Sequence, residues 1–149
     1  MLRQKGEESL RRNMAMNLPS KIEAVDTCVL LRVLEGDIQE QAERALELLL
    51  SGRDFYITET VISEVVYVMT KEGYDRKEIA EKMKVLFDNP MFVYDRKFFE
   101  PVFKDYLKNP SLSFEDLIIA KRAEERECIP VWTFDRKFAK QMKVARLVG

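Results

Sequence analysis

At 149 residues, with 46% hydrophobic and 34% charged side chains, the chain is long enough to bury one core and too apolar for a disordered segment. Its 25 Lys and Arg nearly balance 26 Asp and Glu, so the net charge of −1 neither supports nor excludes a polyanionic partner. It contains no histidine, which removes His-based acid–base chemistry, Ser-His-Asp and Cys-His nucleophile systems, and imidazole metal ligands.

Residues 1–20 are polar, rich in Arg and Glu, and end at Pro19-Ser20. They read as an N-terminal tail ahead of a domain over 21–149. Met14 and Met16 are alternative starts, and a short partner-binding arm is the other reading of the tail. Neither an apolar signal core nor a run of roughly 20 apolar residues is present, so the expected location is the cytoplasm, away from membranes.

Ile22–Thr27 is the first expected strand, and it delivers one carboxylate, Asp26, to its end. A buried, unpaired carboxylate is costly, so Asp26 needs a partner. Cys28–Leu34 continues as a helical turn, stopped by Gly36-Asp37. Ile38–Leu50 has helical spacing of Ala and Leu. Phe55–Ile57 is a short strand. Thr58 or Thr60 caps a helix to about Glu72, ended by Gly73. Asp75–Phe87 is a further helix, broken by Asn89-Pro90.

Met91–Tyr94 is the third strand, and Lys97–Leu107 a Phe-rich helix started or interrupted by Pro101. Ser113 caps a helix over Phe114–Glu127. Ile129–Phe134 is a strand, Asp135–Met142 a short helix and Val144–Val148 the last strand. Short strands alternating with helices predict an α/β fold: a three-layer α/β/α arrangement with a mostly parallel, about five-stranded sheet. Cys28 and Cys128 fit no zinc or redox spacing, and their apolar neighbours predict small buried residues in a reducing compartment. Trp132 and the phenylalanines are expected in the core.

In such sheets, sites form at the carboxyl ends of strands. Asp26 and Asp135 fall there; Glu64 and Asp116 lie near helix starts. Each has an ordinary explanation. Asp116 completes a Ser113-x-x-Asp116 capping box, and Asp135 fits a helix N-cap. Glu64 could be solvated or paired with Lys71, and Asp26 could pair with an Arg. The neighbouring acids Glu59 and Glu115 read as solvated. This topology can nevertheless bring all four acids to one sheet edge, and such a cluster is unfavourable unless cations sit in it. All-oxygen ligands suit Mg²⁺ or Mn²⁺, which clamp a phosphodiester and activate a bound water. Thr27 and Thr133 are placed to orient a carboxylate or a water. Arg32, Lys71, Lys121, Arg122, Arg136 and Lys137 flank the acids and would hold phosphates, if they are more than a solvated face.

Four phrases, AVDTCVLL, TETVISEVVYVM, SFEDLIIAKRAEE and VWTFDRKFAK, resemble in order and spacing the PIN-domain ribonucleases, most closely the VapC-type toxins of prokaryotic toxin–antitoxin pairs. The resemblance spans about residues 22–148. It implies a Mg²⁺- or Mn²⁺-dependent ribonuclease with Asp26, Glu64, Asp116 and Asp135 as its acids and Thr133 as its hydroxyl residue. It also implies an RNA substrate, a cognate antitoxin and a homodimer. Cys28 departs from the Ser or Asn that many members carry after Asp-Thr. The N-terminal tail departs from the minimal domain. Three rivals stand beside this reading. One is a PIN-like nuclease of RNA processing, and another a silent PIN module that only binds. The third is a haloacid-dehalogenase-like phosphatase with Asp26 as nucleophile, which lacks the second Asp expected at Cys28.

Overall fold

Parallel strands cannot be joined by tight hairpins; each pair needs a crossover, and here helices supply it. The computed structural model describes residues 22–149; the expected tail over 1–20, with Met14 and Met16, lies outside the described residues. The order is β1 (Glu23–Ala24), α1 (Thr27–Glu35), α2 (Gln39–Leu49), β2 (Phe55–Tyr56), α3 (Glu59–Lys71), α4 (Arg76–Asp88), β3 (Phe92–Val93), α5 (Arg96–Lys108), α6 (Phe114–Glu125), β4 (Val131–Thr133), α7 (Arg136–Gln141) and β5 (Ala145–Leu147). This is the expected α/β class, and every strand pair is parallel. The five strands form a three-stranded ladder and a two-stranded ladder, where one sheet was expected.

The described residues fall into two compact units. The first contains 22–74 and Glu81–Asp95, and the second Asp75–Ala80 and Arg96–Gly149. In the first unit the strands run in the order β1-β2-β3, with Glu23 opposite Phe55 and Phe55 opposite Phe92. The ladders are shorter than the apolar runs that predicted them. Val25, Ile57 and Tyr94 are buried at the strand ends without belonging to a ladder, so hydrophobicity overstated strand length. The helices α1 and α3 pack together, and Leu30 of the first and Ile62, Val65 and Met69 of the second are buried.

At the far end of that helix pair, Glu35 of α1 meets Glu72, the C-cap of α3. Glu35 Oε1 is buried with no hydrogen-bond partner. Two carboxylates have no donor between them until one takes a proton, which then bonds to the other. Burial first, then the hydrogen bond to and the charge of Glu72, with Asp37 adding repulsion, push Glu35 up to about 7; Arg32 opposes this.

In the second unit, α5 and α6 pack around Phe114, whose ring lies 4.9 Å from Phe103 and 5.5 Å from Tyr106. Pro101 sits inside α5, neither starting nor ending it. It removes one helical hydrogen bond, but Phe98, Phe99, Val102 and Tyr106 bury one continuous face that holds the helix together. Arg76, the first residue of α4, donates to the carbonyls of Tyr106, at 2.8 Å, and Leu112, and lies over the Tyr106 ring. It thereby fixes the loop that leads into α6.

Helix α6 ends in a Schellman motif: Cys128 N–H donates to Ala123 O at 2.8 Å. The left-handed position is filled by Glu127, φ 57°, where glycine is usual. Helix α3 ends the same way with the usual residue, Gly73, at φ 93°, and Tyr74 N–H donating to Met69 O.

Candidate metal centre

Asp26 is exposed, contrary to the expectation of a buried acid, because the chain turns into α1 directly at its backbone. It is the N-cap of α1 and accepts from Thr27 N–H at 2.7 Å. No Arg pairs with it among the described residues. The buried residue is its neighbour. Thr27 is 4% exposed and is the one buried polar side chain among the described residues. Its hydroxyl donates to Glu64 Oε2 at 2.9 Å. Thr27 therefore holds both acids, one through its backbone and one through its side chain.

Glu64 lies in the second turn of α3, whose N-cap, Thr58, accepts from Val61 N–H. Spacing puts Val61, Ile62, Val65 and Met69 on the buried face and leaves Glu64 exposed at its border. Lys71 lies over the Tyr67 ring and does not pair with Glu64. The result is two solvent-facing carboxylates with no cationic partner among the described residues. The other oxygen, Asp26 Oδ2, accepts a weak bond from Cys28 Sγ at 3.9 Å.

Asp116 and Asp135 belong to the second unit. Asp116 completes the expected capping box: it accepts from Ser113 N–H at 3.2 Å, and Ser113 Oγ accepts from Asp116 N–H at 3.0 Å. Asp135 caps α7, accepting from Lys137 and Phe138 N–H. Thr133 Oγ1 accepts from Asp135 N–H at 3.0 Å, fixing the backbone that presents the carboxylate.

Among the described residues, no three Cys, Asp or Glu side chains converge closely enough to hold a metal ion by themselves. The donor chemistry of Asp26 and Glu64 nevertheless fits a hard divalent cation. They are oxygen donors, open to solvent and prepositioned by Thr27, and Mg²⁺ commonly takes one or two carboxylates with water completing its shell.

Two expectations are corrected. Cys28 and Cys128 are free and exposed, so apolar sequence neighbours did not bury them. Trp132 and Phe134 are 62% and 80% exposed, so their apolar character did not place them in the core. Of the six flanking cations, Arg32 pairs with Asp37, Arg122 with Glu125 and Lys71 lies over the Tyr67 ring, while Lys121, Arg136 and Lys137 form no ion pair among the described residues. Among those residues, too, no helix is long and apolar enough to cross a membrane.

The family model of the PIN domain matches residues 24–143. No curated protein and no solved structure gives a significant match.

Proposed function

The chain belongs to the PIN-domain family, a nuclease fold that is generally metal-dependent, and on that footing we propose that it is a Mg²⁺- or Mn²⁺-dependent endoribonuclease. The observation that carries the reading is the Thr27-linked pair of Asp26 and Glu64, two open carboxylates with no cation beside them among the described residues. Asp116 and Asp135 join the proposed ligand set through the family pattern, with Thr133 supporting Asp135.

A bound divalent ion would supply Lewis-acid charge to a phosphodiester and lower the pKa of water. The protein's own contribution is placement. The N-terminus of α1 fixes Asp26, and the Thr27 hydroxyl restricts the rotamers of Glu64, so ordering entropy is met before the ion arrives. This division of labour requires no histidine.

The biological role we propose is the toxin of a type II toxin–antitoxin pair, acting as a homodimer and restrained by a cognate antitoxin. An RNA-processing nuclease is the alternative role on the same chemistry. Purified protein should cut single-stranded RNA in Mn²⁺, stop with chelator and lose cleavage in Glu64→Gln. Intact cleavage in Glu64→Gln would sink the site assignment. Growth arrest on expression, relieved by the product of a neighbouring small reading frame, separates toxin from processing enzyme.

A further inference from the structure

Two aromatic side chains stand out of the second unit: Trp132 is 62% exposed and Phe134 is 80% exposed. Large apolar groups so far out of the core need a covering partner or a functional reason. Their surroundings identify the partner's charge. Residues 131–148 contain five Lys or Arg, among them Arg136, Lys137 and Arg146, against the single acid Asp135. None of the five forms an ion pair among the described residues, and Arg136, Lys137 and Arg146 are exposed. The parallel register sets Trp132 opposite Arg146 and Thr133 opposite Leu147. Successive strand residues face opposite ways, so the indole and the Arg146 guanidinium share one face of the ladder, while Leu147 lies on the other. The next position along the same face sets Val148, 45% exposed, beside Phe134, so the face is mixed, apolar at one end and cationic at Trp132. A cation level with the indole suits a polyanion better than another protein's core.

Resting on the ribonuclease reading, we infer that Trp132 and Phe134 are a stacking platform for unpaired bases of a single-stranded RNA, with Arg146, Arg136 and Lys137 holding its phosphates. Aromatic faces accept any base, and unpaired bases alone expose theirs, so the platform selects single strands over duplex. The next residue after Phe134 is Asp135, so a stacked base would lie one residue along the chain from a proposed ligand.

Trp132 is the chain's one tryptophan, which makes the test direct. In chelator, where no cleavage occurs, the full-length protein is titrated with a short labelled oligoribonucleotide, single-stranded or annealed to its complement. Label anisotropy and tryptophan emission are read together. The single strand should quench Trp132 and the duplex should not. Trp132→Ala combined with Phe134→Ala should weaken single-strand binding roughly tenfold or more, with each stacked base contributing at that scale. Unchanged affinity in the double variant, or equal binding of duplex, overturns the platform. So does sedimentation showing that wild type is a dimer and the double variant a monomer, since the face would then serve self-association. Quenching by RNA without cleavage in Mn²⁺ would leave the platform standing and sink the nuclease reading. Cleavage that survives the double variant at unchanged binding would do the reverse.

Discussion

The Thr27 hydroxyl donates to Glu64 Oε2 across 37 residues of sequence, at 2.9 Å, and ties the first turn of α1 to α3. Thr27→Val keeps the shape and removes the donor. It should cost about 1 kcal/mol of stability. It should also weaken Mn²⁺ binding several-fold, because Glu64 is released. Thr27→Ser, which keeps the hydroxyl, should restore the affinity. Calorimetric titration with Mn²⁺ checks this without relying on turnover, and equal affinities for Val and Ser variants would remove Thr27 from the site.

The cap at Asp135 makes a second expectation. Asp135→Ala removes the acceptor for two backbone N–H groups and should destabilise by about 1 kcal/mol, while Asp135→Asn should be nearly neutral to folding. Both should lower cleavage, if the carboxylate serves the ion. Urea unfolding beside an RNA cleavage assay separates the two effects.

Glu35 makes stability depend on pH. Its pKa is raised from 4.5 to about 7 in the folded state, so between those values the folded chain binds more protons than the unfolded one. Its contribution is therefore fully present below pH 4.5 and is lost as pH rises through about 7. Glu35→Gln should raise the melting temperature at pH 8 and change it little at pH 5. Parallel melting curves for the two proteins would show that the Glu35–Glu72 contact does not titrate.

Arg76 should resist conservative replacement. Its planar guanidinium reaches two carbonyls and stacks on Tyr106, and an ammonium cannot do all three. Arg76→Lys should cost about 1–2 kcal/mol and Arg76→Met about 2–3, as charge-assisted hydrogen bonds are lost. Chemical denaturation measures both.

Glu127 offers the opposite sign. A non-glycine residue in the left-handed region is strained by about 1–2 kcal/mol. Glu127→Gly should therefore stabilise by about 0.5–1 kcal/mol after the added freedom of the unfolded chain is counted. A lower urea midpoint would show that the Glu127 side chain makes a compensating contribution.

Much of the fold was legible because local rules and burial agreed. Ser113-x-x-Asp116 spelled its own capping box, Gly73 its own C-cap, and the helical spacing of Val61, Ile62 and Val65 the buried face of α3. Strand ends were not legible, since Val25 is buried past the end of its strand and Ile57 follows β2 with its N–H still donating to Val93 O. Nor was the exposure of Trp132 and Phe134. What packs on each face of a sheet decides whether a strand residue is covered, and hydrophobicity does not encode that. At the candidate site, Asp26, Glu64 and an orienting Thr27 could be proposed from the sequence. The bond from Thr27 to Glu64 needed the packing of two helices.

The three aspartates share a property that Glu64 lacks. Asp26, Asp116 and Asp135 each hold a helix start, so selection for a stable fold would preserve them in a lineage whose chemistry had lapsed. Glu64 caps nothing and sits exposed on its helix, where Gln would still offer an oxygen to the Thr27 hydroxyl and fold as well. Among descendants of such a chain, drift at position 64 would therefore be the earliest mark of a nuclease that has become a binding protein.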